Sequence, residues 1–279
     1  MLSQEQILHP NPNLAASITY KASKQTYLTV LFLVDGGMTA DAYKAYAYFR
    51  WVDDTLDQEG NSKAERLSFV KRQNALIDQC YGVQGCPPPH ALSEEEYLLV
   101  DLIRNDQGKN SGLQLYIRNL MAVMVFDAER RGELITAQQL TNYERWLATA
   151  VTEALHFYIG HYCGAPRNEL RYLAATGAHI AHMLRDTFDD LAAGYYNIPL
   201  EYLEKWHITP QDVSSEAYRN FVKERVALAR HYFDCGRKYL AMVKNLRCRL
   251  AGYSYIARFT PVLNAIERNH FLLKPDSFI

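Results

Sequence analysis

Two acidic clusters hold the side chains of this chain best placed for chemistry: Arg50-Trp51-Val52-Asp53-Asp54-Thr55-Leu56-Asp57 and Arg185-Asp186-Thr187-Phe188-Asp189-Asp190. In each, two carboxylates stand four residues apart beside an arginine. Four residues turn an α-helix through about 400°, so Asp53 and Asp57 would share one helix face, and Asp186 and Asp190 another. Two such faces opposed would bring at least four carboxylates into one space. Like charges that close are strongly unfavourable at low effective dielectric, so a cation belongs between them. Hard divalent ions bound through oxygen and carrying a phosphorylated ligand suit that donor set. One such cluster alone would read as a solvated Asp/Arg network on an amphipathic helix. The second, set among Ile180, Met183, Leu184, Phe188 and Leu191, tips the reading towards a paired site.

The elements that must position these carboxylates read as helices almost throughout. Apolar residues recur at helical spacing over Leu14–Val34, Ala40–Glu59, Lys63–Tyr81, Ser93–Arg104, Leu113–Arg131, Ala137–Cys163, Glu169–Ala193 and Ser215–Leu250. Turn signals separate them, among them Asp35-Gly36-Gly37, Gly60-Asn61-Ser62, Gly164-Ala165-Pro166 and Pro210. Thr39 and Thr136 stand where N-caps are expected, and Thr136-Ala137-Gln138-Gln139 fits a capping box. No alternating strand pattern bounded by hairpin turns is present. The loop Gly85-Cys86-Pro87-Pro88-Pro89-His90 resembles a linker, but a boundary there would part the two clusters. The expectation is therefore an all-α, single-domain helical bundle over residues 1–279, with the clusters on facing central helices.

Composition narrows the function classes. With 48% hydrophobic and 22% charged residues, the chain can build a real core and is not a disordered segment. A net charge of −1 and the lack of a basic stripe along the sequence argue against nucleic acid as the main partner. Cys80, Cys86, Cys163, Cys235 and Cys248 fit no metal or disulfide spacing and read as reduced thiols. The start, Met1-Leu2-Ser3-Gln4, shows no basic-then-apolar leader. The most apolar run, Tyr27–Val34, is far shorter than the ~18–20 residues of a membrane span. A cytoplasmic chain is expected, either soluble or in peripheral contact with a membrane; the oligomeric state is left open.

The segment Tyr46-Ala47-Tyr48-Phe49-Arg50-Trp51-Val52-Asp53-Asp54-Thr55-Leu56-Asp57 resembles the first aspartate-rich motif of the squalene/phytoene synthase family. Leu184-Arg185-Asp186-Thr187-Phe188-Asp189-Asp190, followed by Gly194 and Ile198-Pro199, resembles its second. Ser23-Lys24-Gln25-Thr26-Tyr27 is similar to the family's early Ser/Lys/aromatic motif. Asp127 and Tyr143–Val151 stand where it carries its middle helices, and Leu263-Asn264-Ala265-Ile266-Glu267 is similar to its last. The resemblance implies the class I isoprenoid (terpenoid) synthase fold and Mg²⁺, or Mn²⁺, held between both acidic helices. It further implies an isoprenoid diphosphate substrate. Carried over, Asp53, Asp57, Asp186 and Asp190 become metal ligands. Lys24, Thr26, Tyr27, Arg50 and Arg185 become diphosphate contacts, and Tyr46 belongs to the reaction cavity. The chemistry is consistent: breaking an allylic C–O bond leaves a carbocation and pyrophosphate, whose charge metals, Arg and Lys must neutralise. Aromatic faces among the 20 Tyr and 11 Phe can stabilise such a cation.

Three departures from the family stand out. His179 and His182 replace its Gln and Asn. His182 shares a face with Asp186 and Asp190, and three functional roles are open to it: a ligand suited to softer metals, a general base, or a donor to phosphate. A packed helix histidine is the fourth option. Tyr143-Glu144-Arg145 replaces a Tyr-Cys-Tyr segment, which sets Arg145 where the family has an aromatic near the bond-forming centre; a guanidinium there suits an anion and repels a carbocation. Tyr46, Arg145 and His182 are thus the candidate catalytic residues. Leu272–Ile279 lacks an apolar anchor, as in a bacterial-type soluble form. The leading expectation is a prenyltransferase that ionises farnesyl or geranylgeranyl diphosphate and joins two of them head to head. The alternative is ionisation of a single prenyl diphosphate, then cyclisation as in a terpene synthase or prenylation of a non-isoprenoid acceptor. A third class is a non-catalytic helical protein that binds isoprenoid diphosphates.

Overall fold

The structure is a computed structural model that describes residues 12–83, 85–106, 108, 110–160 and 164–275. Its helices are α1 (Pro12–Ala22), α2 (Lys24–Leu33), α3 (Thr39–Leu56), α4 (Lys63–Tyr81), α5 (Glu94–Asn105) and α6 (Gly112–Arg130). They continue as α7 (Ala137–Tyr158), α8 (Leu170–Arg185), α9 (Thr187–Ala193), α10 (Leu200–Trp206), α11 (Glu216–Met242) and α12 (Leu246–Arg268). Among the described residues the β-type pairing is confined to an isolated bridge between Ile135 and Pro199. The all-α expectation holds. Cys163 lies outside the described residues, and α7 ends at Tyr158, short of the boundary expected from periodicity.

Capping decides where several helices start. Thr136 closes a complete capping box with Gln139, as its sequence predicts. Thr39 does not cap; it is the first residue of α3, and Met38 stands at the N-cap without a side-chain bond. Three expected helices are broken. Ser23 is extended (φ −154°, ψ 98°), and its Oγ accepts from Thr26 N at 3.2 Å, which splits Leu14–Val34 into α1 and α2. A serine hydroxyl competes with the backbone ladder and favours a cap over a helix interior. Asn245 does the same to Ser215–Leu250: its side chain accepts from Cys248 N at 3.0 Å and starts α12. The third break falls at Asp186 (φ −93°, ψ 11°), between α8 and α9. There the ladder survives, because Asp186 N donates to His182 O at 3.0 Å and Asp190 N to Asp186 O at 2.8 Å. The four-residue spacing of the second cluster is therefore kept in space.

A buried cluster runs from α1 to α12, including Tyr48, Val52, Ile117, Met121, Ile180 and Leu263. Within it α8 packs on α11 and α7, and α6 on α7 and α4. The α8–α11 approach depends on Gly236, where a Cβ would stand 2.7 Å from Ala174 Cβ. The back of α3 is fixed by a buried polar network. Tyr48 Oη donates to Gln73 Oε1 at 3.0 Å, and Gln73 Nε2 donates to Glu96 Oε1 at 2.9 Å. Arg72 closes on the same carboxylate through Nε at 2.7 Å and Nη2 at 2.8 Å. These bonds outweigh the burial of Glu96 and lower its carboxyl to about 2. With Tyr48 and Val52 locked inward, the opposite stripe of α3 is presented to the middle of the bundle.

Candidate active site

That stripe carries Tyr46, Arg50, Asp53 and Asp57, spaced four, three and four. Arg50 Nη1 donates to Asp53 at 3.3 Å, and Nη2 to Asp54. Burial first, and then the Asp57 charge, push the Asp53 carboxyl up to about 6 against the pull of Arg50. From α8, His182 Nε2 lies 2.9 Å from Asp186, and Arg185 grips the same carboxylate at 2.5 and 2.7 Å. Burial opposes ionisation of Asp186, but the Arg185 and His182 bonds prevail and hold it well below the usual carboxylate range. One helical turn on, burial and then the Asp186 charge push Asp190 up to about 7 despite Arg130. A single motif thus holds one carboxylate fully ionised and another poised to take a proton.

A further carboxylate, Asp127 from α6, joins the two motifs. Arg130 Nε donates to it at 2.7 Å and Tyr143 Oη at 3.2 Å. Arg130 Nη1 also donates to Asn197 Oδ1 at 2.8 Å, and Asn197 Nδ2 donates to Asp190 at 2.7 Å. Burial dominates in raising the Asp127 carboxyl above its ordinary value, although Arg130 and Tyr143 oppose it. The Arg130 guanidinium lies over the rings of Tyr143 at 4.5 Å and Tyr195 at 4.9 Å, which makes its desolvation tolerable. Tyr195 spans the gap: its backbone N donates to Asp190 O at 2.7 Å, and its hydroxyl donates to Asp57 at 3.3 Å. The Asp57 and Asp190 carboxylates both act on that of Asp127, so the two motifs face one space. Arg131 braces the same junction, donating to Ala193 O at 3.0 Å and Leu56 O at 3.5 Å.

Beside this polar space lies a cavity of about 350 Å³, lined by α2, α3, α6, α7 and α12. Its walls are mostly apolar, with Val30, Ala45, Leu120, Leu155 and Ala251 among them. Tyr46 stands at the junction. It lines the cavity, and its hydroxyl, raised chiefly by burial, feels the charges of Arg50, Asp53 and Arg258. Deeper in, Tyr116 Oη donates to Ala45 O at 3.2 Å, whereas the buried Tyr158 hydroxyl has no partner among the described residues.

The remaining sequence candidates divide. Thr26 lines the cavity, with its hydroxyl 2.9 Å from Ser23 Oγ. Tyr27 stacks on Tyr43 at 5.4 Å, and Lys24 is exposed, its ammonium 5.9 Å over the Tyr20 ring. No hydrogen bond among the described residues links these three to the acidic groups. Arg145 does not belong to the site: its side chain is 71% exposed and lies 3.7 Å from Glu169. The reason is helical geometry. Tyr143 faces inward from α7, and two residues on is about 200° around the helix. His179 is buried against the Tyr143 ring at 5.1 Å, with neither ring nitrogen partnered. Sequence reasoning missed Arg130, Arg131, Tyr195, Asn197 and Arg258. The one available signal was Asp127 with Arg130 three residues on, an ion pair inside an otherwise apolar helix.

As the side chains stand, no three His, Cys, Asp or Glu groups among the described residues converge tightly enough to hold a metal ion. The aspartates are instead turned onto Arg50, Arg185, Tyr195 and Asn197. The donor set nonetheless fits a hard divalent cation, since it is rich in carboxylate oxygen and two of its members are pushed towards neutrality.

The sequence profile of squalene/phytoene synthases matches residues 19–277. This chain belongs to that family. A 15-cis-phytoene synthase from Synechocystis sp. is 27% identical over 96 residues, which covers 33% of this chain and 28% of that protein. The chain thus matches little more than a quarter of that relative's length. Among solved structures, a squalene synthase from Alicyclobacillus acidocaldarius superposes with a TM-score of 0.69 at 18% identity, over 93% of this chain and 94% of its own. A dehydrosqualene synthase bound to a ligand gives 0.68 at 14% identity, over 96% and 90%. A cucumene synthase variant gives 0.53 at 13%, over 93% and 89%. These likenesses establish the isoprenoid synthase fold.

Proposed function

We propose that this chain is a prenyltransferase of the squalene/phytoene synthase type, one domain that ionises an allylic prenyl diphosphate and joins two of them head to head. The observation that carries the reading is the meeting of Asp53, Asp57, Asp127 and Asp190 in one space at the edge of an apolar cavity. An excess of carboxylate beside an oily pocket suits a ligand with a metal-complexed anionic head and a hydrocarbon tail. Asp53, Asp57, Asp186 and Asp190, with His182 beside them, would hold Mg²⁺ or Mn²⁺. Such an ion supplies positive charge to the diphosphate as the C–O bond breaks.

The chain's own groups do the rest. Arg50 and Arg185 are hydrogen-bonded to the aspartates and are positioned to turn onto diphosphate oxygens once those carboxylates are engaged. Arg258, at the cavity edge beside Tyr46, is a further cation for that head group. The cavity walls exclude water from the tail, and the Tyr46 and Tyr116 rings offer π-faces to developing positive charge. Arg130, tied to Asp127 and Asn197, keeps Asp190 aimed at the shared space.

A second reading has one specific observation in its favour. At about 350 Å³ the cavity is at the low end of the roughly 300–1,000 Å³ typical of small-ligand pockets, a size for one tail rather than two. That favours ionisation of a single substrate, then cyclisation or transfer to another acceptor. Incubation with C10 to C20 diphosphates and Mg²⁺ or Mn²⁺, read by gas chromatography and pyrophosphate release, decides between them. A C30 or C40 product, lost on chelation with EDTA, is expected. A smaller hydrocarbon or alcohol moves the assignment to the second reading. Tight diphosphate binding without pyrophosphate release overturns both.

A further inference from the structure

Two stretches of this chain, residues 12–34 and 242–266, contain no Asp or Glu, although the whole chain carries 31 acidic residues against 30 Lys and Arg. The fold brings them together. Arg247, in the first turn of α12, donates to Leu33 O at 3.2 Å and Val34 O at 3.5 Å at the end of α2. Around that corner the surface alternates oily and basic side chains. On α2, Leu28 and Leu31 are half exposed and Phe32 is 69% exposed, on a face that also carries Lys24. Across the α11–α12 turn, exposed Met242, Lys244, Leu246 and Leu250 continue it. Asp35, the first acid after the 12–34 stretch, is paired with Arg247 at 2.5 Å.

Helical spacing sets this patch at the edge of the apolar cavity. Gln25 and Thr29 line the cavity, and Leu28 and Phe32 sit on the adjoining face of α2. Ala251, Ser254 and Arg258 line it from α12, with Leu250 on the adjoining face there. Exposed apolar side chains this clustered are an interaction surface, not scattered surface leucines.

We propose that this face docks on an anionic lipid surface, with Phe32, Leu28 and Leu246 in the acyl boundary and Lys24 and Lys244 against headgroup phosphates. Charge selects the occupant. A second copy of the chain would oppose like-charged, acid-free faces, whereas an anionic bilayer complements both the basic and the oily groups. The contact is interfacial: no helix among the described residues is long and apolar enough to cross a membrane. The cavity mouth then borders the lipid, so a hydrophobic ligand passes between bilayer and pocket without crossing water. Vesicle binding by this face does not depend on which prenyl reaction the acidic site performs.

The test is co-sedimentation of the full chain with sucrose-loaded vesicles of phosphatidylcholine, with and without phosphatidylserine, at low and high salt. Binding to the anionic vesicles that weakens with salt is expected. Phe32→Ser with Leu246→Ser should cut the bound fraction at least tenfold, and Lys24→Gln or Lys244→Gln about fivefold each. Circular dichroism and thermal melts verify that the variants remain folded. The proposal is overturned if the wild type stays in the supernatant, if it binds neutral and anionic vesicles alike, or if the double variant binds like the wild type. It is equally overturned if velocity sedimentation finds a dimer that the double substitution splits while vesicles capture neither protein.

Discussion

The two sides of α3 hold ionic groups in opposite states. Behind the helix, Glu96 is satisfied by Arg72, Gln73 and the Ser93 backbone N–H, and its carboxyl is lowered to about 2. In front, Asp53 and Asp190 share a space with Asp57, Asp127 and Asp186 and are raised to about 6 and about 7. The first cluster has matched donors and serves folding. The second has more carboxylate than the chain neutralises, an imbalance that the proposed metal-bound diphosphate would relieve. Charges completed within the chain hold the fold together; charges left in excess are where the proposed function is to be tested.

The contrast can be broken most directly at the site. Asp53→Asn or Asp190→Asn should lower turnover by about 10³-fold or more, since the divalent ion proposed to carry the diphosphate would lose a ligand. The same substitutions relieve repulsion, so the thermal midpoint of the ligand-free protein should hold or rise by a few degrees. A fall in the midpoint would place these aspartates with Glu96 as structural groups. At the back of α3 the outcome inverts: Glu96→Gln should cost about 2 kcal/mol, roughly 4–8 °C in the melt, with kcat unchanged at permissive temperature.

A pH series sharpens the same point. Glu96 is lowered on folding, so its contribution is present above about pH 4.5 and is lost as pH falls towards about 2. Asp190 is raised on folding, so the folded state holds the extra proton and stability drains away as pH rises from about 4 through about 7. His156, lowered to about 4 by burial, tilts the other way over part of that window. The quantity to measure is therefore the difference between wild type and Asp190→Asn; a flat difference curve would remove Asp190 from the frustrated cluster. The smallest effect is expected at Arg145. Arg145→Ala should change stability by less than about 0.5 kcal/mol and leave product distribution untouched. A changed product would return Arg145 to the reaction.

Much of this was legible in the sequence because it depends on local spacing. The i, i+4 aspartates needed only helix periodicity to share a face, and Thr136 with Gln139 needed only a capping rule. What escaped depends on partners far apart in the chain. Ser23 and Asn245 end helices within runs whose apolar rhythm continues, so periodicity bridged breaks that side-chain capping imposes. Arg145 was misplaced because two residues, about 200° around the helix, separate the inward Tyr143 from an exposed position. Arg130, Tyr195 and Asn197 gain meaning only once α6 and the segment after α9 meet, which no short-range pattern encodes.

The guanidinium of Arg131 donates to the carbonyl ends of both α3 and α9, at Leu56 and Ala193, while Gly132 N donates to Gly194 O at 2.8 Å. The two aspartate-bearing rods are thus hinged on a common pin. Neither helix end can shift without straining the same guanidinium, so one side chain sets the spacing between the aspartates of both motifs.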